Sequence, residues 1–383
     1  MGVHSLFTPS LAVQRIVAHS QRPASRPGPG VISLSSGDPD FPTPEHIRRA
    51  LAEAIDAGYT HYVDNQGDPE LRAALAERVT QIAGRPFSAT QVLITHGGSG
   101  AITAALLATV NPGDRVLIPE PTYSVYADTL RLIGAEPVFV SQTSDFHLDL
   151  DALEFAAPGA TMVILCHPCN PTGTVYRRDE LEALAELAAR HQLLVLADEA
   201  YDHIVFDGVE FVSTLAIPGL AERLIYCQTF SKTYAMTGWR LGYLVAPEPI
   251  IAAAATVHRT LIGAMNAAVQ RAGVAAITIP SDAPELMRRE YQARRELVLE
   301  LLADLPCISI RPPEGTFYAF VRYEADLHPS EVVAKALAMG VAIRSGTEYG
   351  PSGAGHVRLA FSTDRTQLTE ALLRLRSLFA SLA

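Results

Sequence analysis

The chain contains few cysteines and few lysines, and it has no excess of positive charge. Its 383 residues include four cysteines, and its formal net charge at pH 7 is −11. Four scattered cysteines are too few for a disulfide framework in a chain of this length, which favours a reducing compartment. The negative charge and the lack of any block of like charges argue against binding to nucleic acid.

The sequence also lacks a long uninterrupted hydrophobic run. Residues 1–20 have no apolar core of the kind that a secretory signal requires. The uncharged stretch at residues 86–113 is interrupted by the segment H-G-G-S-G at residues 96–100. This pattern predicts a strand, a loop and a helix instead of a membrane span. We therefore expect a soluble cytoplasmic protein.

Short apolar runs alternate with helical patterns between about residues 46 and 280. This alternation predicts an α/β fold with a mostly parallel sheet covered by helices. The predicted strands are Val92–Thr95, Arg115–Pro119, Pro137–Val140, Met162–Leu165, Leu193–Ala197, Leu224–Cys227 and Leu241–Val245. The predicted helices include Ala101–Val110, Tyr123–Ile133 and Asp179–Arg190.

The pattern becomes shorter and more mixed after a long predicted helix near Glu285–Leu302. We predict a large domain at residues 46–280 and a smaller α+β domain at residues 281–383, to which an N-terminal arm at residues 1–45 contributes. The proline- and glycine-rich residues 22–30 are typical of an arm or linker. The predicted strands of the smaller domain are Ile308–Ile310, Phe317–Val321, Val341–Arg344 and His356–Phe361.

A glycine-rich turn follows the first predicted strand of the sheet. It contains Gly97, Gly98 and Ser99 and leads into an alanine-rich helix. Backbone N–H groups at such a helix start, together with the Ser99 hydroxyl, can hold a phosphate or another anion. A tight strand-to-helix turn without a ligand explains the same residues.

A carboxylate follows another predicted strand, in the segment V-L-A-D-E-A-Y at residues 195–201. Asp198 lies at the carboxyl end of that strand, where open α/β sheets bind their ligands. It can cap the following helix, or it can pair with a cationic heterocycle. Tyr201 is close enough to contact the same ligand.

The segment C-H-P-C-N-P-T-G at residues 166–173 ends a third predicted strand. Asn170 supplies a side-chain amide at this position. Cys166 and Cys169 form a C-x-x-C pair, but Cys227 and Cys307 stand alone, which argues against a zinc or redox site. The histidines here and nearby are interpreted as polar loop residues, because no His-x-x-x-His pair is present; they are His96, His167 and His203.

Lys232 is one of only two lysines in a chain that otherwise uses arginine. It lies beside Thr229 and Ser231 and eight residues before Arg240. A lysine in this setting can bind phosphate as a simple cation, or it can form a Schiff base with an aldehyde. Arginine cannot act as a neutral nucleophilic amine, so the second role explains why a lysine is present.

These features share one economical explanation, which is pyridoxal 5′-phosphate. The chain carries a possible phosphate site, a carboxylate for a ring nitrogen, an amide, a tyrosine and a lysine nucleophile. The pyridinium ring of this cofactor acts as an electron sink. We therefore expect a pyridoxal-phosphate enzyme.

The chain resembles the class I/II aminotransferases of fold type I, in particular aspartate and aromatic aminotransferases. The resemblance extends from about Ser33 to Ser377 and depends on several motifs in a fixed order. They are G-D-P-D-F-P-T-P at 37–44, Y-V-D-N-Q-G at 62–67, the glycine turn at 97–100, N-P-T-G at 170–173, D-E-A-Y at 198–201, S-K at 231–232, M-T-G-W-R at 236–240 and H-V-R-L-A-F at 356–361.

The resemblance implies a role for each matching residue. Lys232 would form the Schiff base and act as general base at the substrate Cα, and Asp198 would pair with the ring nitrogen. Asn170 and Tyr201 would bind the phenolic oxygen, and Tyr123 would stack on the ring. The phosphate would be bound by Gly97, Gly98, Ser99, Thr229, Ser231 and Arg240. Arg358 would bind the substrate α-carboxylate near the Gly37 backbone. Tyr62 would reach the phosphate from the other subunit of a homodimer.

Three positions bear on substrate preference. Relatives often carry serine or asparagine where this chain has His167 and Cys169. Arg259 falls near the place where dicarboxylate-specific relatives present a distal arginine from the partner subunit, although an exposed helix arginine is the alternative. Lys335 is expected to be a solvated helix residue.

Two other functions remain open from the sequence. The same scaffold supports β-elimination, racemisation or biosynthetic cyclisation of an amino acid, and the cofactor residues would look the same. A regulatory protein that senses amino acids is the second alternative, but such proteins carry an added basic DNA-binding module. The amino donor, the 2-oxo acid acceptor and any assembly beyond a dimer are not predicted.

Overall fold

The protein was analysed as a computed structural model that describes residues 7–22 and 27–382. Positions 23–26 of the predicted linker lie outside the described residues, as do residues 1–6 and residue 383. No helix in the described ranges combines the length and the apolar character needed to cross a membrane.

The strands are short and are numbered here in chain order. They are β1 (Ile32–Ser33), β2 (Val92–His96), β3 (Arg115–Glu120), β4 (Glu136–Ser141), β5 (Ala160–Cys166), β6 (Leu194–Asp198), β7 (Leu224–Thr229), β8 (Leu241–Val245), β9 (Ile308–Ile310), β10 (Tyr318–Tyr323), β11 (Val341–Ala342), β12 (Arg344–Ser345) and β13 (His356–Ala360).

The α-helices alternate with the strands over most of the chain. They are α1 (Leu11–His19), α2 (Glu45–Asp56), α3 (Pro69–Ala83), α4 (Gly97–Thr109), α5 (Val125–Ile133), α6 (Leu150–Ala156), α7 (Arg178–Arg190), α8 (Glu248–Leu261), α9 (Ala267–Thr278), α10 (Ala283–Leu302), α11 (Pro329–Ala338) and α12 (Arg365–Ala380).

A seven-stranded sheet forms the larger part of the molecule. Its strand order is β2-β8-β7-β6-β5-β3-β4, and β8 alone among these seven runs against the others. Because the other six strands point the same way, their carboxyl ends lie along one edge of the sheet. Ligands of such sheets bind outside this edge.

Both faces of this sheet are buried. Val163 and Leu165 of β5 belong to one apolar cluster, while Met162 and Ile164 belong to another. Alternate residues of a strand point to opposite faces, so the two clusters lie on the two sides of the sheet. Such burial on both faces explains the almost continuous apolar runs in the sequence.

A second, four-stranded antiparallel sheet has the order β12-β13-β10-β9. It shares a third apolar cluster with residues of α10, α11 and α12. The N-terminal strand β1 pairs in parallel with β11, and Leu34, the residue after β1, belongs to this cluster. The N-terminal segment is thus joined to the C-terminal part of the chain.

All seven strands predicted for the large sheet are confirmed, and so is the α/β fold. Two details differ. Helix α4 begins at Gly97, so the glycine segment forms the first turn of the helix. The predicted strand Val341–Arg344 is interrupted at Ile343, because β11 pairs with β1 whereas β12 pairs with β13. The domain boundaries at residues 46 and 281 stay a prediction.

Candidate active site

A cavity of about 1070 Å³ lies at the carboxyl edge of the large sheet, between this sheet and the four-stranded sheet. The loops after β2, β3, β5, β6 and β7 all open into it, as does the residue before β8. Twelve of the sequence-predicted site residues line it, namely Gly37, Gly98, Ser99, Tyr123, Asn170, Asp198, Tyr201, Thr229, Ser231, Lys232, Arg240 and Arg358.

One end of the cavity is built to hold an anion. Helix α4 starts there, and the first N–H groups of a helix have no partner within the helix. The Thr229 hydroxyl donates to the Ser231 oxygen at 2.8 Å, so two hydroxyl groups lie side by side. The Arg240 guanidinium lies against Gly97, where an added Cβ would come within 2.5 Å of its Nη2 atom. These groups together suit a phosphate.

The Asp198 carboxylate lies at the end of β6 and is buried. Its Oδ2 atom accepts a hydrogen bond from the Tyr126 hydroxyl at 2.7 Å, and its Oδ1 atom accepts one from the Ala200 amide at 3.2 Å. Burial raises the pKa of this carboxyl, whereas the two hydrogen bonds and the charge of Lys232 oppose the rise. A cationic group placed in the cavity would stabilise the ionised form.

The Lys232 amine lies in the middle of the cavity lining. Its Nζ atom donates to the Gly37 carbonyl oxygen at 2.5 Å. Burial lowers the pKa of Lys232 to about 8; Arg240 and Arg358 also lower it, and Asp38 opposes them. An amine with this pKa is partly neutral near pH 8, which makes it available as a nucleophile or as a general base.

The Arg358 guanidinium lies at the other end of the cavity, on β13. It donates to the Asn170 Oδ1 atom at 3.1 Å and to the Ser35 carbonyl oxygen at 2.6 Å. Its Cζ atom lies 4.0 Å from the centre of the Tyr318 ring, and its buried Nε atom has no hydrogen-bond partner. A planar, oriented guanidinium with donors left over suits a carboxylate.

Two tyrosines complete the walls of the cavity. The Tyr201 hydroxyl is 3.0 Å from the Tyr318 hydroxyl, and either atom can donate. The Tyr123 ring meets the Tyr126 ring edge-on, with 5.6 Å between the centroids. The Arg22 guanidinium lies 5.7 Å from the centre of the Tyr123 ring. Aromatic faces thus border the space between the anion end and Arg358.

Three predicted site residues do not line this cavity. Gly97 is buried behind the Arg240 guanidinium. Tyr62 lies before α3 and is 97% exposed. Arg259 is exposed near the end of α8. The single chain therefore does not bring Tyr62 or Arg259 to the cavity.

His167 and the two cysteines of the segment at residues 166–173 are buried. The His167 ring is stacked between Tyr176 and Phe211, and burial lowers its pKa to about 4. Cys169 is buried and donates to the Pro121 carbonyl oxygen at 3.5 Å, whereas Cys166 lines the cavity. Neutral His167 supports the loop that carries Asn170.

Some residues with direct contacts in the site were not found from the sequence. Tyr126 binds Asp198, Tyr318 stacks on Arg358, and Ser35 accepts from Arg358. The spacing of Tyr126, three residues after Tyr123 at the start of a helix, was a usable signal because such residues share a face. For Tyr318 and Ser35 the sequence offers none, since their contacts with Arg358 join segments that are not neighbours in the sequence.

Comparison with known proteins gives a consistent result over nearly the whole chain. The sequence profile of the family described as Aminotransferase class I and II matches residues 29–375. The aspartate aminotransferase of Pyrococcus abyssi is 37% identical over 355 residues, which cover 90% of each protein. The arginine–pyruvate transaminase AruH of Pseudomonas aeruginosa is 36% identical and covers 91% of this chain and 90% of its own length.

The fold is similar to that of solved aminotransferase structures. The aromatic aminotransferase of Pyrococcus horikoshii superposes with a TM-score of 0.90 at 33% identity, over 97% of this chain and 99% of that one.

Proposed function

The chain belongs to the class I and II aminotransferases, and we propose that the cavity between its two sheets is the active site. It is an enzyme of fold type I that uses pyridoxal 5′-phosphate to transfer an amino group from an amino acid to a 2-oxo acid. The observation that carries the site proposal is the position of Lys232. Its amine, with a pKa lowered to about 8, shares one cavity with the anion end, the buried Asp198 carboxylate and Arg358.

The side chains present fit this cofactor. The start of α4, the Thr229 and Ser231 hydroxyls and Arg240 would hold its phosphate. Asp198 would pair with the protonated ring nitrogen, and such a partner would satisfy a buried carboxylate whose pKa is raised by burial. Tyr201 and Asn170 would contact the phenolic oxygen, and Tyr123 would cover one face of the ring. When bound, pyridoxal 5′-phosphate supplies an aldehyde that condenses with amines and a ring that withdraws electrons.

Lys232 would move the Cα proton, and the place to which this proton is delivered distinguishes amino transfer from racemisation. As a neutral amine it would take the proton from the substrate Cα and, as the resulting ammonium group, return it at the carbon that carried the cofactor's aldehyde. Arg358 would bind the α-carboxylate, and its contacts with Asn170 and Tyr318 would fix the direction of the Cα–H bond. The choice of the bond that breaks thus depends on positioning.

We propose that the working unit is a homodimer located in the cytoplasm. Tyr62, predicted to contact the phosphate, is 97% exposed, and Leu261 and Ile262 beside Arg259 are also exposed apolar residues. A second subunit that covers this surface would bring Tyr62 into a neighbouring site. Four buried free thiols fit a reducing compartment.

The substrate side chain is not determined by family membership. The similar proteins named above act, by their names, on aspartate, on arginine or on aromatic amino acids. The sequence prediction that Arg259 of the partner binds a distal carboxylate requires the second subunit.

A half-reaction tests the proposed site. The holoenzyme is mixed with single amino acids without an acceptor, and the cofactor absorption and the 2-oxo acid product are measured together. We expect one group of amino acids to convert the cofactor to its aminated form, and a 2-oxo acid to restore the original absorption. Lys232→Ala should lose both the conversion and its reversal. Lys335→Ala removes the only other lysine, which is exposed on α11, and should behave as the wild type.

Release of ammonia or pyruvate without a returning amino group would contradict amino transfer. Full activity of Lys232→Ala would contradict the site assignment.

A further inference from the structure

Two arginines face each other across the strands at the substrate end of the cavity. Arg344 of β12 is the direct cross-strand partner of Arg358 of β13, and both line the cavity. Directly opposed residues of antiparallel strands project their side chains to the same side, and like charges there are destabilising. A pair of this kind is stabilised when anions lie between or beside the two guanidinium groups.

The two arginines have different partners. Arg358 contacts only neutral groups among its hydrogen-bond partners, namely Asn170 and Ser35, and in the proposed function it takes the substrate α-carboxylate. The Nη2 atom of Arg344 lies 3.1 Å from the Glu348 Oε1 atom. The Nε atoms of both arginines are buried without a hydrogen-bond partner. Donors are therefore left over on each guanidinium.

Glu348 supports Arg344 from behind without neutralising this end of the cavity. Its side chain is 2% exposed and does not line the cavity, and it also accepts from the Ser124 hydroxyl at 3.3 Å. Burial raises the pKa of Glu348, whereas the positive charges of Arg344, Arg358 and Arg22 oppose this rise. One carboxylate among three guanidinium groups leaves this end positive even when Glu348 is ionised.

A negatively charged substrate side chain fits this end of the cavity. A cationic side chain would meet Arg344 and Arg22, because the Glu348 carboxylate lies behind Arg344. The carboxylates that line the cavity have other partners: Asp38 accepts from Thr237, Asp40 pairs with Arg294, and Asp198 accepts from Tyr126. An apolar side chain could contact Val333 and Leu337 of α11, but it would leave the Arg344 donors unpaired. A carboxylate at the end of a short side chain would satisfy them.

We propose that Arg344 binds a second carboxylate of the substrate from within the same chain, so that the enzyme prefers dicarboxylic amino acids and 2-oxo acids. This inference rests on the proposed function, since Arg358 must hold the α-carboxylate. It places the distal contact on β12 of the chain that carries Lys232, whereas Arg259 would have to come from the partner subunit.

Unreactive acids test the inference by binding alone. Succinate and butyrate have the same length, and succinate carries a carboxylate where butyrate has a methyl group. Their dissociation constants are measured on the holoenzyme by titration of the cofactor absorption and by calorimetry. We expect succinate to bind more tightly, and Arg344→Leu to weaken succinate by about 10- to 100-fold while butyrate changes by less than about threefold.

Two further variants separate charge from folding. Glu348→Gln removes the competing internal carboxylate but keeps an oxygen that can accept from Ser124, so succinate should bind several-fold more tightly. Arg190→Leu deletes an exposed arginine of α7 that pairs with Glu154, and it should leave both acids unchanged. The circular dichroism spectrum and the bound-cofactor absorption of Arg344→Leu, compared with those of the wild type, show whether this variant is folded.

Equal binding of succinate and butyrate by the wild type would overturn the inference. So would equal weakening of both acids in Arg344→Leu, or loss of the succinate preference in Arg259→Leu but not in Arg344→Leu. Failure of the proposed function looks different: no amino acid of any class would convert the cofactor. Conversion with alanine and with aspartate at equal efficiency would keep the proposed function and reject the role of Arg344.

Discussion

At the scale of single residues, the neighbours of a titratable side chain determine its protonation state. Lys232 is one of two lysines in a chain that otherwise uses arginine, and its burial and the charges of Arg240 and Arg358 disfavour its protonated form. A guanidinium in its place would stay charged at every accessible pH. Both the choice of lysine and its environment thus favour a neutral amine at this position.

The pKa of Lys232 predicts how cofactor attachment depends on pH. Lys232 attacks an aldehyde only as the neutral amine, and its pKa is lowered from 10.5 to about 8. Below its pKa, the neutral fraction of the amine increases about tenfold per pH unit, and above its pKa it is nearly constant. The rate at which the apoenzyme attaches the cofactor should therefore increase about tenfold per pH unit below pH 8 and then level off. Stopped-flow absorption between pH 6 and 10 measures this rate.

Pyridoxine 5′-phosphate provides the control, because it carries an alcohol in place of the aldehyde and its binding does not need the neutral amine. An attachment rate that continues to rise through pH 10 would show that Lys232 has the pKa of an ordinary lysine.

Tyr126 is a residue whose contribution only the structure reveals. Its hydroxyl donates to Asp198 and opposes the rise in the pKa of that carboxyl. Tyr126→Phe should therefore raise the Asp198 pKa further and weaken the hold on the protonated ring, with about a tenfold increase in the dissociation constant of the cofactor and a similar decrease in kcat. Equilibrium dialysis and steady-state rates measure the two quantities.

Tyr323→Phe is a matched control for this variant. Tyr323 also donates a single hydrogen bond, to the Leu327 carbonyl oxygen at 2.7 Å, in the smaller sheet. Similar losses of cofactor affinity in both variants would indicate general destabilisation in place of a specific contact.

At the scale of elements, the sequence predicted the large sheet well and the helix starts less well. Strands such as β5 and β6 are apolar, bounded by turn residues and buried on both faces, so their pattern is strong. The start of α4 was placed at Ala101, four residues late, because glycine is a poor helix former. Gly97 is required there by the Arg240 guanidinium, which is a tertiary contact that local helix propensity does not reveal.

The start of α4 is therefore sensitive to a single methyl group. Gly97 has φ +68°, and an added Cβ would meet Arg240 Nη2 at 2.5 Å. Gly97→Ala should displace the guanidinium and lower the affinity for inorganic phosphate and for the cofactor by at least about tenfold. Calorimetric titration of the apoenzyme with phosphate measures the first effect.

Gly84→Ala separates backbone strain from the displaced arginine. Gly84 follows α3 with φ +65°, and an added Cβ would meet no atom within 4 Å. This variant should lower the stability by about 1 kcal/mol and leave phosphate affinity unchanged. Equal phosphate affinities in the two variants would reject the steric explanation.

At the scale of the whole molecule, the cavity is assembled from segments far apart in the chain. The motifs that resemble the family identified the lining side chains proposed to hold the cofactor. The glycine turn and the motifs N-P-T-G, D-E-A-Y and S-K were informative because each lies at or just after the carboxyl end of a strand of the large sheet. Ser35 was missed because it follows β1, whose pairing with β11 depends on long-range contacts. Tyr318 was missed because its contact with Arg358 depends on the pairing of β10 with β13. Arg344 was missed for a related reason: its importance comes from the register of β12 against β13.

A shared active site predicts complementation between two defective chains. Lys232→Ala and Tyr62→Ala are mixed, unfolded and refolded together, so that about half of the dimers are mixed. Each mixed dimer should contain one site with both Lys232 and Tyr62 intact, giving about a quarter of the wild-type kcat per chain. Activity of the refolded mixture, compared with each variant refolded alone, measures this recovery.

No recovery above the sum of the separate variants would show that Tyr62 acts within its own chain or not at all. The same mixture prepared without unfolding controls for exchange between preformed dimers.

The pairing of β1 with β11 also has a consequence for how the enzyme is made. The ribosome releases the segments proposed to bind the phosphate, up to Arg240, well before it releases β11 and Arg358. The cofactor half of the cavity is therefore complete in sequence while the substrate half is still being synthesised, and the N-terminal strand has to wait for its partner. A chain halted during translation would be expected to capture cofactor before it can recognise an amino acid.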